Sequence, residues 1–282
     1  MPRAVCTFVE DCLHYAADAD LEASYATVRH EQTDAEVSLY RTLEALQGFD
    51  AGYGNEDRLQ FLVRTAKVYD PETIRELSRF LYDCPELEDE MQAVKKGILG
   101  CKIDIGSLDM NAVQIDATAK PWEVGFSLAR QVRCQWNLNG PVTNEALCER
   151  VSLRAEELDC ADRDSAVGFG ARMSDAVFSL KFAKRSRTSS RFMFTRGICD
   201  AIVSRKGFSN FLAITPSKTA RRKIQRAFAA ELLCPIDDIV QETNNVSDKD
   251  AIDYLAEKYA VSTRVVESQL STHGYGQLPS VA

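Results

Sequence analysis

Apolar residues recur at helical spacing through much of this chain, and the places where that period fails mark its joints. Through residues 1–110 the three- and four-residue period dominates. Thr33 and Glu36 form a candidate capping box ahead of Val37, Tyr40, Leu43 and Leu46. Gly48 stands where a helix end takes a left-handed residue. Asp70 and Pro71 read as a cap and a first helical position, with Ile74, Leu77 and Leu81 behind them. Glu86, Glu88, Asp89 and Glu90 put negative charge in the first turn of a further helix, where the peptide dipoles favour it. No catalytic motif falls in this region, so the pattern predicts a helical bundle for packing or partner contact.

Between Gly100 and Lys120 the period breaks. Residues 101–105 and 112–115 are short and partly alternating, which suits either a strand pair or an extended linker. A domain boundary is placed there, giving a helical region over 1–110 and a second domain over 111–282. From Pro121 the helical pattern returns, with Trp122, Phe126, Ala129, Val132 and Trp136 on one face. A short helix over 143–151 follows the break at Asn137 to Pro141. The apolar runs 166–169 and 176–180 read as strands of a small sheet. Residues 191–204 and 217–233 read as two longer helices, the second stopped by Pro235. Residues 248–259 and 262–270 complete the chain as a helix pair. The fold class is therefore α+β, mostly helical, with a small sheet in the second domain.

Composition adds limits. The chain has 282 residues, 45% hydrophobic and 27% charged, enough to bury a sizeable core. No apolar run approaches the roughly 20 residues that cross a bilayer, and the first ten residues lack the apolar stretch of a secretory signal. A cytoplasmic protein with no membrane partner is expected. Nine cysteines, none spaced Cys-x-x-Cys, read as scattered reduced core thiols rather than a disulfide or zinc framework. Charge changes the picture more. Residues 181–226 hold thirteen basic side chains against one acid, Asp200, so this stretch carries +12 in a chain of net charge −8. Either the segment neutralises the acidic remainder of its own molecule, or its cations share a face and draw an anionic partner.

Several stretches resemble the ImmA/IrrE family of zinc peptidases. Residues 121–130, Pro-Trp-Glu-Val-Gly-Phe-Ser-Leu-Ala-Arg, look like its opening helix. Arg191-Phe-Met-Phe-Thr is similar to the segment that enters its zinc helix. Phe228-Ala-Ala-Glu-Leu-Leu-Cys-Pro235 is the most specific match, and residues 255–274 resemble its closing helices. The resemblance spans residues 120–275 and implies a zincin-like fold. It also implies a His-Glu-x-x-His helix, in which histidines four apart meet one ion and the glutamate polarises its water. Here Arg196 takes the first histidine's place, Gly197 the glutamate's, Asp200 the second histidine's, and Arg222 that of a third ligand from the next helix. The three histidines, His14, His30 and His273, include no pair four apart, so the motif is missing in any register. Arginine only donates hydrogen bonds and cannot ligate zinc.

The expectation is a non-catalytic pseudo-metallopeptidase, with no metal and no cofactor. Arg196, Asp200 and Arg222 are expected to converge. Since unpaired buried charge is costly, they would form an ion cluster replacing the metal as a staple; alternatively the arginines make an anion pocket. Lys184, Arg185, Arg187, Arg191, Arg221, Lys223 and Arg226 are candidate contacts to an anion or to nucleic acid. A nucleic-acid-binding regulator using residues 181–226 is the second reading. The third is an atypical peptidase with Cys199 as nucleophile and His273 approaching it in space. Family analogy implies a protein partner, such as a helix-turn-helix regulator or an antitoxin-like protein, in bacterial or phage stress, defence or toxin–antitoxin regulation.

Overall fold

Local signals set most of the elements. In a computed structural model of the chain, the described residues are 10, 12–13, 19–81, 84, 86–159, 167–182, 186–207, 209–243 and 249–275. Among them are thirteen helices and one four-stranded sheet. They divide into two compact units, Met1–Tyr82 and Asp83–Ala282. No helix among the described residues is long and apolar enough to cross a membrane.

The first unit holds α1 (Ala19–Thr33), α2 (Ala35–Leu46), α3 (Glu56–Val68) and α4 (Pro71–Leu81). The cap of α2 is Asp34, whose carboxylate accepts the N–H groups of Glu36 and Val37 at 2.8 and 3.0 Å. The capping box expected at Thr33 is thus displaced by one residue, because a charged acceptor stands next to it. Gly48 has φ +84° just past the helix end, as the sequence suggested. Asp70 accepts the Thr73 N–H at 2.9 Å ahead of Pro71. Leu43, Leu59, Leu62, Ile74 and Leu77 fill the core. Glu44 lies among them at 1% exposure. Its carboxylate accepts the Gly52 and Gly54 N–H groups, each at 2.9 Å, and the Arg41 guanidinium at 2.9 Å. The α2–α3 loop is tied to α2 by that one side chain.

The second unit contains α5 (Glu86–Lys95), β1 (Cys101–Asp104), α6 (Pro121–Gln135), α7 (Asn144–Arg150), α8 (Ala155–Asp159), β2 (Gly168–Arg172) and β3 (Val177–Lys181). It continues through α9 (Arg187–Gly207), β4 (Phe211–Ile214), α10 (Ala220–Leu233), α11 (Ile236–Thr243), α12 (Lys249–Lys258) and α13 (Thr263–Thr272). The strand order is β1-β3-β2-β4, antiparallel throughout, with Cys101 opposite Leu180 and Gly168 opposite Ile214. Two expectations are corrected. The division falls after Tyr82 rather than at residue 110, because β1 is an edge strand of the second unit's sheet. Residues 112–115 form no strand; instead Gln131 of α6 accepts the Gln114 N–H at 2.7 Å and donates to its carbonyl at 2.9 Å.

Helix α9 lies on this sheet. A Cβ built on Gly197 would meet Leu180 Cδ2 at 2.4 Å and Ile214 Cδ1 at 3.2 Å, so glycine is what lets the helix seat. Helices α6 and α10 cross more tightly still. A Cβ on Gly125 would stand 2.4 Å from the Ile224 carbonyl oxygen and 2.7 Å from Ala227 Cβ. Strand β4, a run of four buried residues, joins α9 to α10 and sets the two helices side by side.

Candidate functional site

Arg196, Gly197, Asp200 and Arg222, the four residues that the resemblance aligns with a zinc site, fall on α9 and α10, but they do not form one cluster. Asp200 is 1% exposed and accepts the Ala213 N–H at 2.8 Å. Arg221 clasps it with Nε and Nη2, at 2.8 and 2.7 Å. Arg196, on the same helix, turns elsewhere: its Nη2 donates to the Thr215 carbonyl and to Gln225 Oε1, both at 2.9 Å. Arg222 joins neither group and lines a groove between helices. The expected convergence of Arg196, Asp200 and Arg222 is therefore wrong, and Arg221 is the true partner of Asp200. Successive residues on a helix point about 100° apart, so a one-residue difference in register exchanges which arginine reaches α9. Gly197 faces the sheet, so a carboxylate there would enter the apolar core rather than the groove.

The basic segment is similarly divided. Lys181 pairs with Glu90, and Arg205 with Asp175 at 2.6 Å. Arg191 is buried and donates to the Val142 carbonyl; burial pulls its pKa down to about 10. Arg187 is exposed at the start of α9. Lys184 and Arg185 lie outside the described residues. Part of the +12 is thus spent on internal contacts, and no single continuous basic face forms from the described members of the segment. What remains is concentrated: Lys218, Arg222, Lys223 and Arg226 line the groove.

That groove has two chambers. The wider, about 420 Å³, lies between α6, α10 and α13, with Trp122, Phe126 and Phe192 among its walls and the four cations around them. The narrower, about 290 Å³, opens where α9 and α13 begin; Arg196, Arg226 and Arg264 line it with Ser186, Thr188, Ser189 and Ser262. Phe192, Arg226 and Val265 border both. No carboxylate among the described residues lines either chamber. Among the described residues none pairs with Lys218, Arg222, Lys223, Arg226 or Arg264.

The charges oppose one another. Burial lowers the pKa of Arg226, and the guanidinium groups of Arg222 and Arg264 lower it further. Burial takes Arg196 down to about 10, with Arg226 and Arg222 adding to the effect and Asp200 resisting it. Both remain protonated near neutrality. The Arg226 guanidinium sits over the Phe192 ring, 5.7 Å from its centroid, a favourable contact with a ring face.

The groove's frame is fixed by Glu231, 1% exposed. It accepts from Arg130 Nε at 2.8 Å, Gln269 Nε2 at 2.9 Å and the Ile236 N–H at 3.2 Å, fastening α6, α13 and the start of α11 to α10. Sequence reasoning did not assign it this role, although a lone glutamate inside the apolar octet 228–235 was the available signal. It also passed over Trp122, Phe192, Lys218 and Arg264 as site residues. Trp122 and Phe192 look like ordinary apolar helix positions, and Arg264 stands far from the basic stretch.

Cys199 is fully buried, and burial pushes its thiol well above the ordinary range, so it is a core residue rather than a poised thiolate. The His273 ring packs on Phe126, with centroids 4.5 Å apart. Among the described residues, no group of three or more His, Cys, Asp or Glu side chains is placed to hold a metal ion. No family model, no curated protein and no solved structure matches this chain.

Proposed function

We propose that this chain is a non-catalytic binding protein on a degenerate ImmA/IrrE-like, pseudo-metallopeptidase scaffold, and that its second unit captures an anionic ligand or an acidic partner surface in the α6–α10–α13 groove. One observation carries the reading: six cations, Arg196, Lys218, Arg222, Lys223, Arg226 and Arg264, border a two-chambered groove that no carboxylate among the described residues lines, in a chain of net charge −8. Like charges held together cost free energy unless an anion joins them, so such a lining is expected where a ligand supplies the missing charge. A regulatory role in bacterial or phage stress, defence or toxin–antitoxin biology, with a protein partner, follows from the family resemblance.

The test is thermal denaturation of the full chain at low salt against phosphate, pyrophosphate and tripolyphosphate. A ligand that binds only the folded state raises the melting temperature in proportion to the logarithm of its concentration. Tripolyphosphate should stabilise most, and salt should erase the effect. Arg226→Met, which keeps much of the apolar stem and removes the charge, should melt no lower than the parent without ligand yet respond about tenfold more weakly to the anion. Absence of stabilisation by all three anions would overturn the proposal. Binding of a folded acidic protein at the same groove, competed by tripolyphosphate, would support the partner form of it.

The runner-up reading, nucleic-acid binding by residues 181–226, is favoured by aromatic rings beside the cations, the usual stacking platform for bases. It loses ground because Lys181, Arg191, Arg205 and Arg221 are committed to internal partners.

A further inference from the structure

Both chambers carry cations; the wider one adds aromatic faces and the narrower one adds hydroxyl groups. The wider one offers flat apolar surface: Trp122, half-buried, with Phe126 and Phe192. The narrower one has apolar residues of its own, Met193 and Val261, but adds four hydroxyl side chains, Ser186, Thr188, Ser189 and Ser262, beside three arginines. Two helices of 21 and 10 residues, α9 and α13, begin at its rim, and their N-terminal dipoles favour an anion there. Ser262, the N-cap of α13, accepts no side-chain cap hydrogen bond, and its hydroxyl can donate to an anion at the chamber's rim. Arg196 supplies an independent sign. It is 4% exposed and borders this chamber with no ion pair among the described residues; neutral acceptors, Thr215, Gln225 and Met193 Sδ, hold its Nη groups, and its Nε has no acceptor among the described residues.

We propose that the groove binds a nucleoside phosphate, with the phosphate seated among Arg196, Arg226 and Arg264 and the base against Trp122 and Phe192. The proposal rests on the anion-binding reading above and names its ligand class. Phosphate oxygens match the guanidinium forks and the serine hydroxyls. A base gains from stacking on indole and phenyl faces, whichever base it is, so the aromatic chamber sets the class more than the identity. The wider chamber, about 420 Å³, falls within the size of small-ligand sites, and the narrower, about 290 Å³, lies at its lower edge. Inorganic phosphate would leave the aromatic chamber unused, and an uncharged nucleoside would leave three arginines without a counter-charge. Arg226 borders both chambers, and its charge lies over Phe192, so it is placed to contact the ligand where sugar meets phosphate.

The experiment uses the full chain and its own fluorescence. Only two tryptophans are present; Trp136 is 2% exposed and donates to Ser107 Oγ, whereas Trp122 lies in the groove. A base stacked on Trp122 should quench it, and Trp122→Phe should abolish the response while calorimetry still detects binding. ADP, GDP, CDP and UDP, each titrated beside pyrophosphate, adenosine and a 5′-phosphorylated tetranucleotide, separate the possibilities. The expected result is at least one nucleoside diphosphate binding about tenfold more tightly than both pyrophosphate and adenosine, with Arg264→Met lowering its affinity by about tenfold and leaving the unfolding midpoint unchanged. A tetranucleotide binding more tightly than any nucleotide keeps the chemistry and assigns it to a nucleic-acid end. Pyrophosphate binding as well as every nucleotide overturns the nucleoside assignment and leaves the anion reading standing. Adenosine binding as well as ADP overturns the phosphate seat. No binding by any of these ligands overturns both.

Discussion

Removing the Asp200 carboxylate should destabilise the second unit severely, and only one of two adjacent arginines should share in the loss. Asp200 is 1% exposed and accepts three hydrogen bonds, one from the Ala213 N–H and two from Arg221. Asp200→Ala leaves a buried donor of β4 unpaired and a guanidinium without its counter-charge. Breaking a buried pair in this way costs about 3–5 kcal/mol. The Arg221 side chain retains 20% exposure and can recover some hydration, which lowers the expectation to about 2–4 kcal/mol. Arg221→Ala should cost a comparable amount, and the double variant should lose much less than the sum, giving a coupling of about 2 kcal/mol. Arg222→Ala should fall within about 0.5 kcal/mol of the parent and couple to Asp200 weakly or not at all. Urea unfolding monitored by tryptophan emission is a suitable assay, since Trp122 and Trp136 both lie in the second unit. A larger coupling of Asp200 to Arg222 than to Arg221 would refute the assignment. It would also restore the register in which Arg222 replaces a zinc ligand beside Asp200.

Three further outcomes follow from the packing. Gly125→Ala adds a Cβ 2.4 Å from a backbone oxygen, so overpacking of about 1–3 kcal/mol should exceed the gain of up to about 1 kcal/mol in helix propensity; an unfolding midpoint equal to the parent's would show that the helices can separate freely. Brief alkylation of the native protein near pH 8, mapped by peptide mass, should label exposed Cys134. It should spare Cys148, Cys199 and Cys234, whose thiols burial raises to about 11, well above the ordinary range, and to about 12, respectively; rapid labelling of Cys199 would return it to candidacy as a nucleophile. Burial pushes the Glu44 carboxyl up, but the N–H groups of Gly54 and Gly52 and the Arg41 guanidinium outweigh that and leave its pKa lowered. The stability it confers is then fully present above the unfolded carboxylate value of about 4.3 and lost as pH falls through the folded one. Protection of the α2 amides against hydrogen exchange, relative to the unstructured rate at each pH, should fall on acidification, and Glu44→Gln should show lower protection at pH 7 with a flatter pH dependence.

Elements with a local cause were legible in the sequence. The Asp70–Pro71 start, the Gly48 turn and the apolar face from Phe126 to Trp136 each depend on residues within a few positions of one another, and each is found. Strand β4 was missed because its four residues contain no turn signal and no alternation; buried on both faces, it is a strand only by virtue of β2 beside it. The pairing of β1 with β3 spans residues 101 and 180, and no local pattern encodes a contact of that range. The domain boundary shifted for the same reason, since an edge strand belongs to its sheet whatever its distance along the chain.

The site was legible as a quantity of charge and not as a geometry. Counting gave a positive stretch and an absent metal motif, and from these a cluster of Arg196, Asp200 and Arg222 was inferred by proximity along α9 and by register with the next helix. Desolvation supplies the reason the actual arrangement differs. A buried aspartate needs a donor set that satisfies both oxygens, and Arg221 together with the Ala213 N–H does this from one side. Once Asp200 is satisfied there, it offsets Arg196 only in part, against burial and the charges of Arg226 and Arg222. Arg196 is held instead by the neutral acceptors Thr215 and Gln225, which orient its charge without cancelling it. Arg222 and Arg226 then stand one helical turn apart on α10, facing α13 with Arg264 nearby and no acid between them. An ion cluster that replaced a metal as a structural staple would be electrically closed. This groove, among the described residues, is electrically open, and that openness is the ground on which the anion-binding proposal rests.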